Sequence, residues 1–167
     1  MHITSERPED AAAIRALTEA AFRDMPHSSQ TEARIIDALR AAGALTLSLV
    51  AIEEGVIVGH AAFSPVQIAG ALGDWYGLGP VSVRPDRQRS GIGQALIREG
   101  LRRLKSAMAA GCVVLGAPAY YGRFGFEADP DLHYGAAPPV YFQRIILEGS
   151  PPKGEVRFHP AFDASSD

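Results

Sequence analysis

The chain has 167 residues, of which 47% are hydrophobic and 21% charged, and its formal net charge at pH 7 is −3. This length predicts one domain, residues 1–167. The small negative net charge does not favour general binding to nucleic acid or to a membrane. The single cysteine, Cys112, excludes an intramolecular disulfide and a multi-cysteine zinc site, and its position in the apolar run CVVL predicts a buried thiol.

The N-terminal part of the chain predicts two helices separated by a polar break. Apolar residues recur at helical spacing over residues 8–23 and again over residues 28–43. Ser28 or Ser29 is the predicted N-cap of the second helix, and Gly43 is its predicted end. No basic leader with an apolar core precedes these helices, and no apolar window approaches about eighteen residues, so we expect a soluble cytoplasmic protein.

Three strands are predicted in the middle of the chain. Residues 45–52 and 56–68 form two apolar segments joined by the short connection EEG, which is typical of a hairpin. Residues 74–83 form the third predicted strand. Two glycines and a proline within residues 77–80 interrupt its pattern and predict a bulge or an unpaired edge.

The second half of the chain predicts one long amphipathic helix and several short elements. Over residues 91–108 apolar side chains recur at helical spacing, while arginine and lysine occupy the opposite face. The run CVVLG then predicts a buried strand, PAYYGRF one or two helical turns that begin at Pro118, YFQRIILEG a late strand and GEVRFHPAF a small additional one.

The turn before the long helix, residues 88–93, has the features of an anion-binding loop. The first amides of a helix have no intrahelical partner, and Gly91 and Gly93 carry no side chain that would block a phosphate. A dinucleotide fingerprint would need a third glycine where Leu96 stands, and the final Gly-Lys-Ser/Thr of a Walker loop is absent. These residues alone predict either a phosphate or pyrophosphate site or a glycine turn that only starts a helix.

The loop is also the first part of a pattern with two motifs. QRSGIG, residues 88–93, follows VSVRPD, and YGRFGF, residues 121–126, lies downstream of the helix. In this order the sequence resembles the GNAT superfamily of N-acetyltransferases, with its signatures Q/R-x-x-G-x-G/A and Y-x-x-x-G-F, and in particular the YhbS-like branch of predicted acetyltransferases. The resemblance covers nearly the whole chain. It implies an α/β fold with a GNAT-type mixed, mostly antiparallel, splayed central sheet flanked by helices, and an acetyl-coenzyme A-dependent N-acyltransferase.

The resemblance implies a cofactor site. In this family the pyrophosphate of acetyl-coenzyme A lies on the loop amides, and the pantetheine arm pairs with the preceding strand like an additional strand. The positions that match are Gln88, Arg89, Ser90, Gly91, Ile92 and Gly93 for the pyrophosphate, and Val81, Ser82 and Val83 for the pantetheine arm. The interruption before Val81 then predicts a slot for the thioester between this strand and CVVL. Arg87 and Arg89 either add charge at the phosphates or are solvated surface side chains.

Tyr121 matches the tyrosine that acts as the general acid in many relatives. The chemistry of the family is direct attack of an amine on the thioester, which leaves a thiolate that needs a proton. A tyrosine with a pKa of about 10 stays protonated at pH 7 and can donate to a thiolate whose pKa is about 8.5. A packing role is the alternative for Tyr121, and Tyr120 is expected to pack or to form a wall of the substrate site.

The general base is not assigned by the resemblance. Many relatives carry an asparagine where this chain has Val114, and no carboxylate lies nearby in the sequence. Ordered water could accept the proton of the amine, and four polar side chains are further candidates, each with a structural or surface explanation: Glu32, His60, Asp74 and His133. The five histidines lie in separate segments with no pair at ligand spacing, so no metal is expected.

The expected acceptor is a primary amine on a small molecule or peptide. The resemblance places its contacts on the two N-terminal helices and the break RDMPHS between them. Two alternatives stay open: a non-catalytic module that binds or senses acyl-coenzyme A, and a transferase for a longer acyl group, for which Gly59, Ala61 and Ala62 would leave room. The oligomeric state is open as well, with homodimers common among relatives.

Overall fold

Residues 1–164 are described by a computed structural model of the chain. The strands are β1 (His2–Ser5), β2 (Leu47–Glu53), β3 (Val56–Ile68), β4 (Ala71–Val83), β5 (Gly111–Leu115), β6 (Glu127–Ala128), β7 (Leu132–His133), β8 (Phe142–Ile146) and β9 (Gly154–Arg157). The helices are α1 (Ala11–Phe22), α2 (Glu32–Ala41), α3 (Ile92–Ser106) and α4 (Pro118–Tyr121). The fold is mixed α/β, with a mostly antiparallel open sheet and flanking helices. Within the described range, no helix is both long and apolar enough to cross a membrane.

These elements fall into two compact units. Among the described residues, the first contains Met1–Phe63, Gly79–Gly100 and residues 160–164, and the second contains Ser64–Leu78 and Leu101–His159. Strands β3 and β4 and helix α3 contribute residues to both units.

The first unit begins with an antiparallel sheet in the order β1, β2, β3. Ile14 of α1, Ile36 of α2 and Val50 of β2 form a buried cluster in this unit. The apolar faces of both helices are removed from water by packing against each other and the sheet. The predicted N-cap of α2 is wrong: its N-cap is Thr31, and the Ser28 hydroxyl instead donates to the Glu32 carboxylate at 2.8 Å. The predicted end is confirmed, because Gly43 follows the C-cap residue, has a φ of +68° and donates its amide to the Arg40 carbonyl oxygen at 3.1 Å.

Two glycines bring the first part of α3 close to β3. A Cβ atom on Gly59 would lie 2.7 Å from a methyl carbon of Ile92, and one on Gly100 would lie 2.2 Å from the Phe63 ring. Both distances are shorter than real Cβ contacts, so only glycine allows this packing. The space at Gly59 is therefore filled by helix α3, and it leaves no room there for the longer acyl group considered above.

The second unit surrounds its own core. Strand β4 pairs in parallel with β5, which pairs antiparallel with β8, and β8 pairs antiparallel with β6. The buried core side chains are Val66, Ile68, Trp75, Val113, Leu132, Phe142 and Val156. Cys112 on β5 is fully buried, as predicted, and burial raises the pKa of its thiol.

The predicted interruption of the third strand appears in the pairing of β4. Within the described residues, β4 pairs with β5 only from Trp75 to Gly77, whereas β5 continues to pair with β8 as far as Leu115. Gly79 has a φ of +131°, a conformation that side chains with a Cβ atom rarely adopt. Val81–Val83 thus follow a strand segment in which glycine is required by the backbone.

Candidate active site

The loop between β4 and α3 presents unpaired amides at the start of a helix. Ala95 donates the first helical hydrogen bond, to the Gly91 carbonyl oxygen at 3.0 Å. Among residues 1–164, no hydrogen-bond acceptor is recorded for the amides of residues 88–94. Gly91 has a φ of +88°, and a Cβ atom built on it would meet nothing within 4 Å. The predicted pyrophosphate residues therefore form a run of free N–H donors beside open space, at the positive end of the α3 dipole.

Side chains of the same loop hold its shape. The Gln88 amide nitrogen donates to the Val83 carbonyl oxygen at 3.2 Å, and the Ser90 hydroxyl donates to the Arg87 carbonyl oxygen. The Arg84 amide donates to the Val58 carbonyl oxygen at 2.9 Å, which ties the loop to β3. Gln88 and Ser90 thus use their side chains within the loop and leave their main-chain amides without a partner.

The two candidate arginines differ in their partners. Arg87 donates two hydrogen bonds to the Glu53 carboxylate of β2, at 2.9 and 2.7 Å, in a bidentate ion pair. The exposed Arg89 has no ion pair or hydrogen bond recorded with any residue in the described part of the chain. Arg89 is therefore the one of the two whose charge is not already matched. Glu53 was missed by sequence reasoning, because nothing in the hairpin EEG indicates which glutamate meets an arginine 34 positions away.

In the candidate pantetheine segment, Val81 to Val83, the side chain of the middle residue, Ser82, already has a hydrogen-bond partner. Ser82 is only 1% exposed, and its hydroxyl donates to the Thr18 hydroxyl of α1 at 3.3 Å. Thr18 in turn donates to the Ile14 carbonyl oxygen at 2.8 Å. Because side chains alternate along a strand, Val81 and Val83 point to the opposite face. Any contact of Ser82 with a cofactor would therefore use its backbone.

Tyr121 lies at the end of α4 in a cluster of aromatic rings. Its ring centroid is 5.0 Å from that of Tyr120 and 6.0 Å from that of Phe126, both in edge-to-face arrangements. Burial and the neighbouring Tyr120 raise the pKa of Tyr121 to about 12, so the phenol stays protonated at neutral pH. No hydrogen bond of its hydroxyl to another described residue is recorded, and the hydroxyl is not among the buried atoms that lack a partner. The hydroxyl is a free donor on a ring held by packing.

Tyr120 contributes to the same packing. Its ring is 5.5 Å from that of Phe124, and the guanidinium of Arg123 lies 4.7 Å above it. These contacts agree with the packing role expected for Tyr120.

His60 belongs to a partly buried polar network, which we call the His60 network: Glu6, Arg40, Ser48 and His60. The Ser48 hydroxyl donates to the Glu6 carboxylate, so the His60 Nε2 atom must be the donor in its 2.7 Å contact with the Ser48 oxygen. Arg40 donates to the same carboxylate at 2.8 and 3.1 Å. Desolvation lowers the pKa of His60 to about 4, so the ring is neutral at pH 7.

The remaining candidates for the general base, Glu32, Asp74 and His133, lie in different parts of the structure. Glu32 lies in the first unit and accepts the Ser28 hydrogen bond, whereas Asp74 and His133 are exposed residues of the second unit. In the described structure, none of them is recorded in a hydrogen bond with Tyr121. No group of three or more His, Cys, Asp or Glu side chains within residues 1–164 could hold a metal ion.

A buried amide near Tyr121 was missed by sequence reasoning. Val114, at the position where many relatives carry asparagine, pairs directly with Gln143 of β8. Gln143 is only 2% exposed, and its side-chain nitrogen donates to the Gly116 carbonyl oxygen at 3.1 Å. The only sequence signal for this role is a glutamine inside the apolar strand FQRII.

Known proteins similar to this chain agree with these features. The sequence pattern of the acetyltransferase (GNAT) family matches residues 12–126. The chain is 41% identical over 128 residues to the uncharacterized N-acetyltransferase YhbS of Escherichia coli K12, and the match covers 76% of this chain and 74% of that protein.

Solved structures are similar over nearly the full length. A GNAT family acetyltransferase from Brucella melitensis in complex with acetyl-coenzyme A has 57% identity, a TM-score of 0.88 and coverage of 97% of both chains. Escherichia coli YhbS in complex with coenzyme A has 35% identity and a TM-score of 0.88, with coverage of 98% of this chain and 92% of that chain. These similarities confirm the predicted fold class and enzyme class, an acyl-coenzyme A-dependent N-acetyltransferase. The chain belongs to the acetyltransferase (GNAT) family.

Proposed function

We propose that this chain transfers the acetyl group of acetyl-coenzyme A to a primary amine on a small molecule or peptide, by direct attack of the amine on the thioester. The observation that carries the proposal is the run of unpaired amides at residues 88–94 beside the open face of Gly91. The complexes of the Brucella melitensis and Escherichia coli relatives with acetyl-coenzyme A and coenzyme A support the same donor.

The loop is proposed to hold the pyrophosphate. Amides of Gln88 to Gly93 would donate to its oxygens, and the dipole of α3 would favour its negative charge. Arg89 adds an unmatched positive charge, whereas Arg87 stays with Glu53. Binding here is therefore mainly a main-chain interaction, which only glycine permits at position 91.

The pantetheine arm is proposed to pair with the backbone of Val81, Ser82 and Val83. This role is supported by the Ser82 side chain, which is hydrogen-bonded to Thr18 and therefore leaves the backbone of Ser82 for such a partner. It is also supported by the end of the β4–β5 pairing at Gly77, before this segment begins. An arm added to strand backbone needs main-chain donors and acceptors rather than particular side chains.

Tyr121 is proposed to donate a hydrogen bond to the departing sulfur. The amine nitrogen forms a bond to the carbonyl carbon, the carbon–sulfur bond breaks, and the electron pair of that bond leaves on sulfur. Full transfer of a proton from a phenol of pKa about 12 to a thiolate of pKa about 8.5 is unfavourable by roughly 5 kcal/mol. Tyr121 therefore stabilises the developing thiolate, and the proton that finally neutralises it is lost by the amine.

The acceptor is proposed to contact α1, α2 and the segment between them, as in the family that the sequence resembles. A homodimer, a cytoplasmic location and the lack of a nucleic-acid partner stay predictions. The fully buried Ala61 and Ala62 and the filled space at Gly59 give no support to a longer acyl group.

Thioester consumption tests the reaction itself. Purified protein is incubated with acetyl-coenzyme A and a panel of small amines and peptides, and free thiol is measured. We expect thiol release that depends on one class of amine and falls about 100-fold in Tyr121→Phe, with acetyl-coenzyme A affinity unchanged. Binding of acetyl-coenzyme A without turnover on any amine would instead indicate the non-catalytic module, and an unchanged rate in Tyr121→Phe would remove the proposed role of Tyr121.

A further inference from the structure

We infer that Gly116 is a positioning residue for Tyr121: the tyrosine ring lies where a side chain at position 116 would be, and any larger residue there would displace its hydroxyl. This inference rests on the proposed role of Tyr121 in the reaction. Both residues lie in the second unit, on the connection from β5 through α4.

The contact between Gly116 and the ring is closer than a Cβ atom would allow. A Cβ built on Gly116 would lie 2.4 Å from Cε2, 3.0 Å from Cδ2 and 3.4 Å from Cζ of Tyr121. Cζ carries the hydroxyl, so a side chain that pushed on this edge of the ring would also move the hydroxyl. An alanine at position 116 would require a movement of roughly 1 Å to restore an ordinary contact.

The backbone of Gly116 is poorly able to make that movement. Its amide donates to the Tyr141 carbonyl oxygen at 2.9 Å, and its carbonyl oxygen accepts from the buried Gln143 amide at 3.1 Å. Its φ lies outside the positive range, so its backbone conformation would tolerate another residue. Glycine is required at this position because of the ring and not because of the main chain.

The ring is the part that would shift, and its surroundings make the shift consequential. The Tyr121 amide is held in α4 by the Ala117 carbonyl oxygen at 3.0 Å, and the rings of Tyr120 and Phe126 pack against the tyrosine ring. An added methyl group would therefore tilt the ring within this cluster and change the position of the hydroxyl. A misplacement of about 1 Å in a catalytic group can reduce a rate by about 100-fold.

Gly116→Ala is the test, with Gly122→Ala as a matched control. Gly122 directly follows Tyr121, has a helical φ of −57° and has nothing within 4 Å of its Cβ position, so an added methyl group meets no neighbour. We expect kcat of Gly116→Ala to fall about 10- to 100-fold while the acetyl-coenzyme A Kd stays within about twofold. Gly122→Ala should keep the wild-type kcat.

A double-mutant cycle separates positioning from general damage to the fold. In the Tyr121→Phe background the hydroxyl is gone, so Gly116→Ala should cause little further loss of kcat. A wild-type kcat in Gly116→Ala, or an equal loss in the Tyr121→Phe background, would overturn the inference while leaving the proposed role of Tyr121 intact. A Tyr121→Phe enzyme with wild-type kcat would instead refute the role of Tyr121, and the inference with it.

The position of the ring can be followed without activity. In protein containing 3-fluorotyrosine, the ¹⁹F signal missing from Tyr121→Phe identifies Tyr121, and this signal should shift in Gly116→Ala but not in Gly122→Ala. An unshifted signal would overturn the inference. If Gly116→Ala does not fold, Gly116→Ala/Tyr121→Ala must recover the melting temperature of Tyr121→Ala, because the missing ring leaves room for the methyl group; failure to recover would also overturn it.

Discussion

Two polar regions of the first unit differ in whether their hydrogen-bonding groups have partners within the protein. In the His60 network, Glu6 accepts from Ser48 and twice from Arg40, and the neutral His60 ring donates to Ser48. In the loop before α3, the amides of residues 88–94 have no acceptor recorded among the described residues. The His60 ring is fully buried, whereas the Cβ position of Gly91 faces open space.

A structural polar cluster satisfies its own hydrogen-bonding groups, whereas a binding site leaves donors available to a ligand. The network contains a serine, a histidine and a glutamate, which are the residue types of a catalytic triad. The Ser48 hydroxyl nevertheless donates its proton to the Glu6 carboxylate and not to the His60 ring. The side chains of the network are hydrogen-bonded to one another, and within residues 1–164 the His60 Nδ1 atom is the only atom of the network recorded as buried without a partner. The loop holds no comparable side chains, and its free donors are what a phosphate requires.

Gly91→Asp should weaken acetyl-coenzyme A binding more than any other substitution in the loop. The substitution places a side chain and a negative charge at the proposed pyrophosphate seat and strains a φ of +88°. Acetyl-coenzyme A affinity, measured by titration calorimetry, should fall by about 100-fold or more. Gly70→Asp is the matched control, because Gly70 also has a positive φ, +79°, and open space at its Cβ position; equal losses in both variants would contradict the assignment of the loop.

A smaller effect, on stability, is expected from protonation of His60. Its folded pKa of about 4 is below the ordinary 6.5, so between these values the unfolded chain binds the additional proton and the folded chain is destabilised as pH falls. The stabilisation is fully present above pH 6.5 and is lost progressively towards pH 4, by about 3 kcal/mol in total.

Urea unfolding between pH 7 and 5 measures about half of this loss, and that range lies above the ordinary pKa of Glu6. His60→Gln should flatten the decline, whereas His133→Gln, which changes an exposed histidine, should retain it. A decline that is the same in wild type and His60→Gln would show that the network does not hold a neutral ring.

The smallest effect distinguishes the two arginines. Arg89→Ala should weaken acetyl-coenzyme A binding by roughly threefold to tenfold, because an exposed charge at a phosphate contributes modestly and is screened by salt. Arg87→Ala should change the affinity by less than about twofold, since Glu53 already occupies its guanidinium. The opposite order of the two losses, measured at low and high salt, would mean that Arg87 leaves Glu53 for the phosphate.

Much of the fold could be predicted from the sequence, because apolar periodicity records which face of an element is buried. The helices at residues 8–23 and 91–108 and the hairpin of β2 and β3 lie where this periodicity indicated. The two-residue strands β6 and β7 are too short to have a period, and the start of α2 was misplaced because Ser28 bonds to Glu32 and does not cap the helix. The single-domain prediction stays a prediction.

The candidate site also has parts that the sequence predicts and parts that only the structure reveals. The loop before α3 and Tyr121 follow from motifs that are local in the sequence. Glu53, Gln143 and the fit of Tyr121 against Gly116 depend on partners that only the folded chain brings together. A glycine required by a neighbouring ring cannot be distinguished, in a single sequence, from a glycine required by a turn.

Main-chain amides of residues 88–93 are proposed to hold the pyrophosphate. Amide chemical shifts of ¹⁵N-labelled protein, followed while coenzyme A is added, test this proposal because each loop residue reports on its own N–H group. We expect the amides of residues 88–93 to show the largest shifts in the first unit, and those of Ser48 and His60 to show small ones. Unchanged loop amides at saturating coenzyme A would rule out the proposed role of the loop.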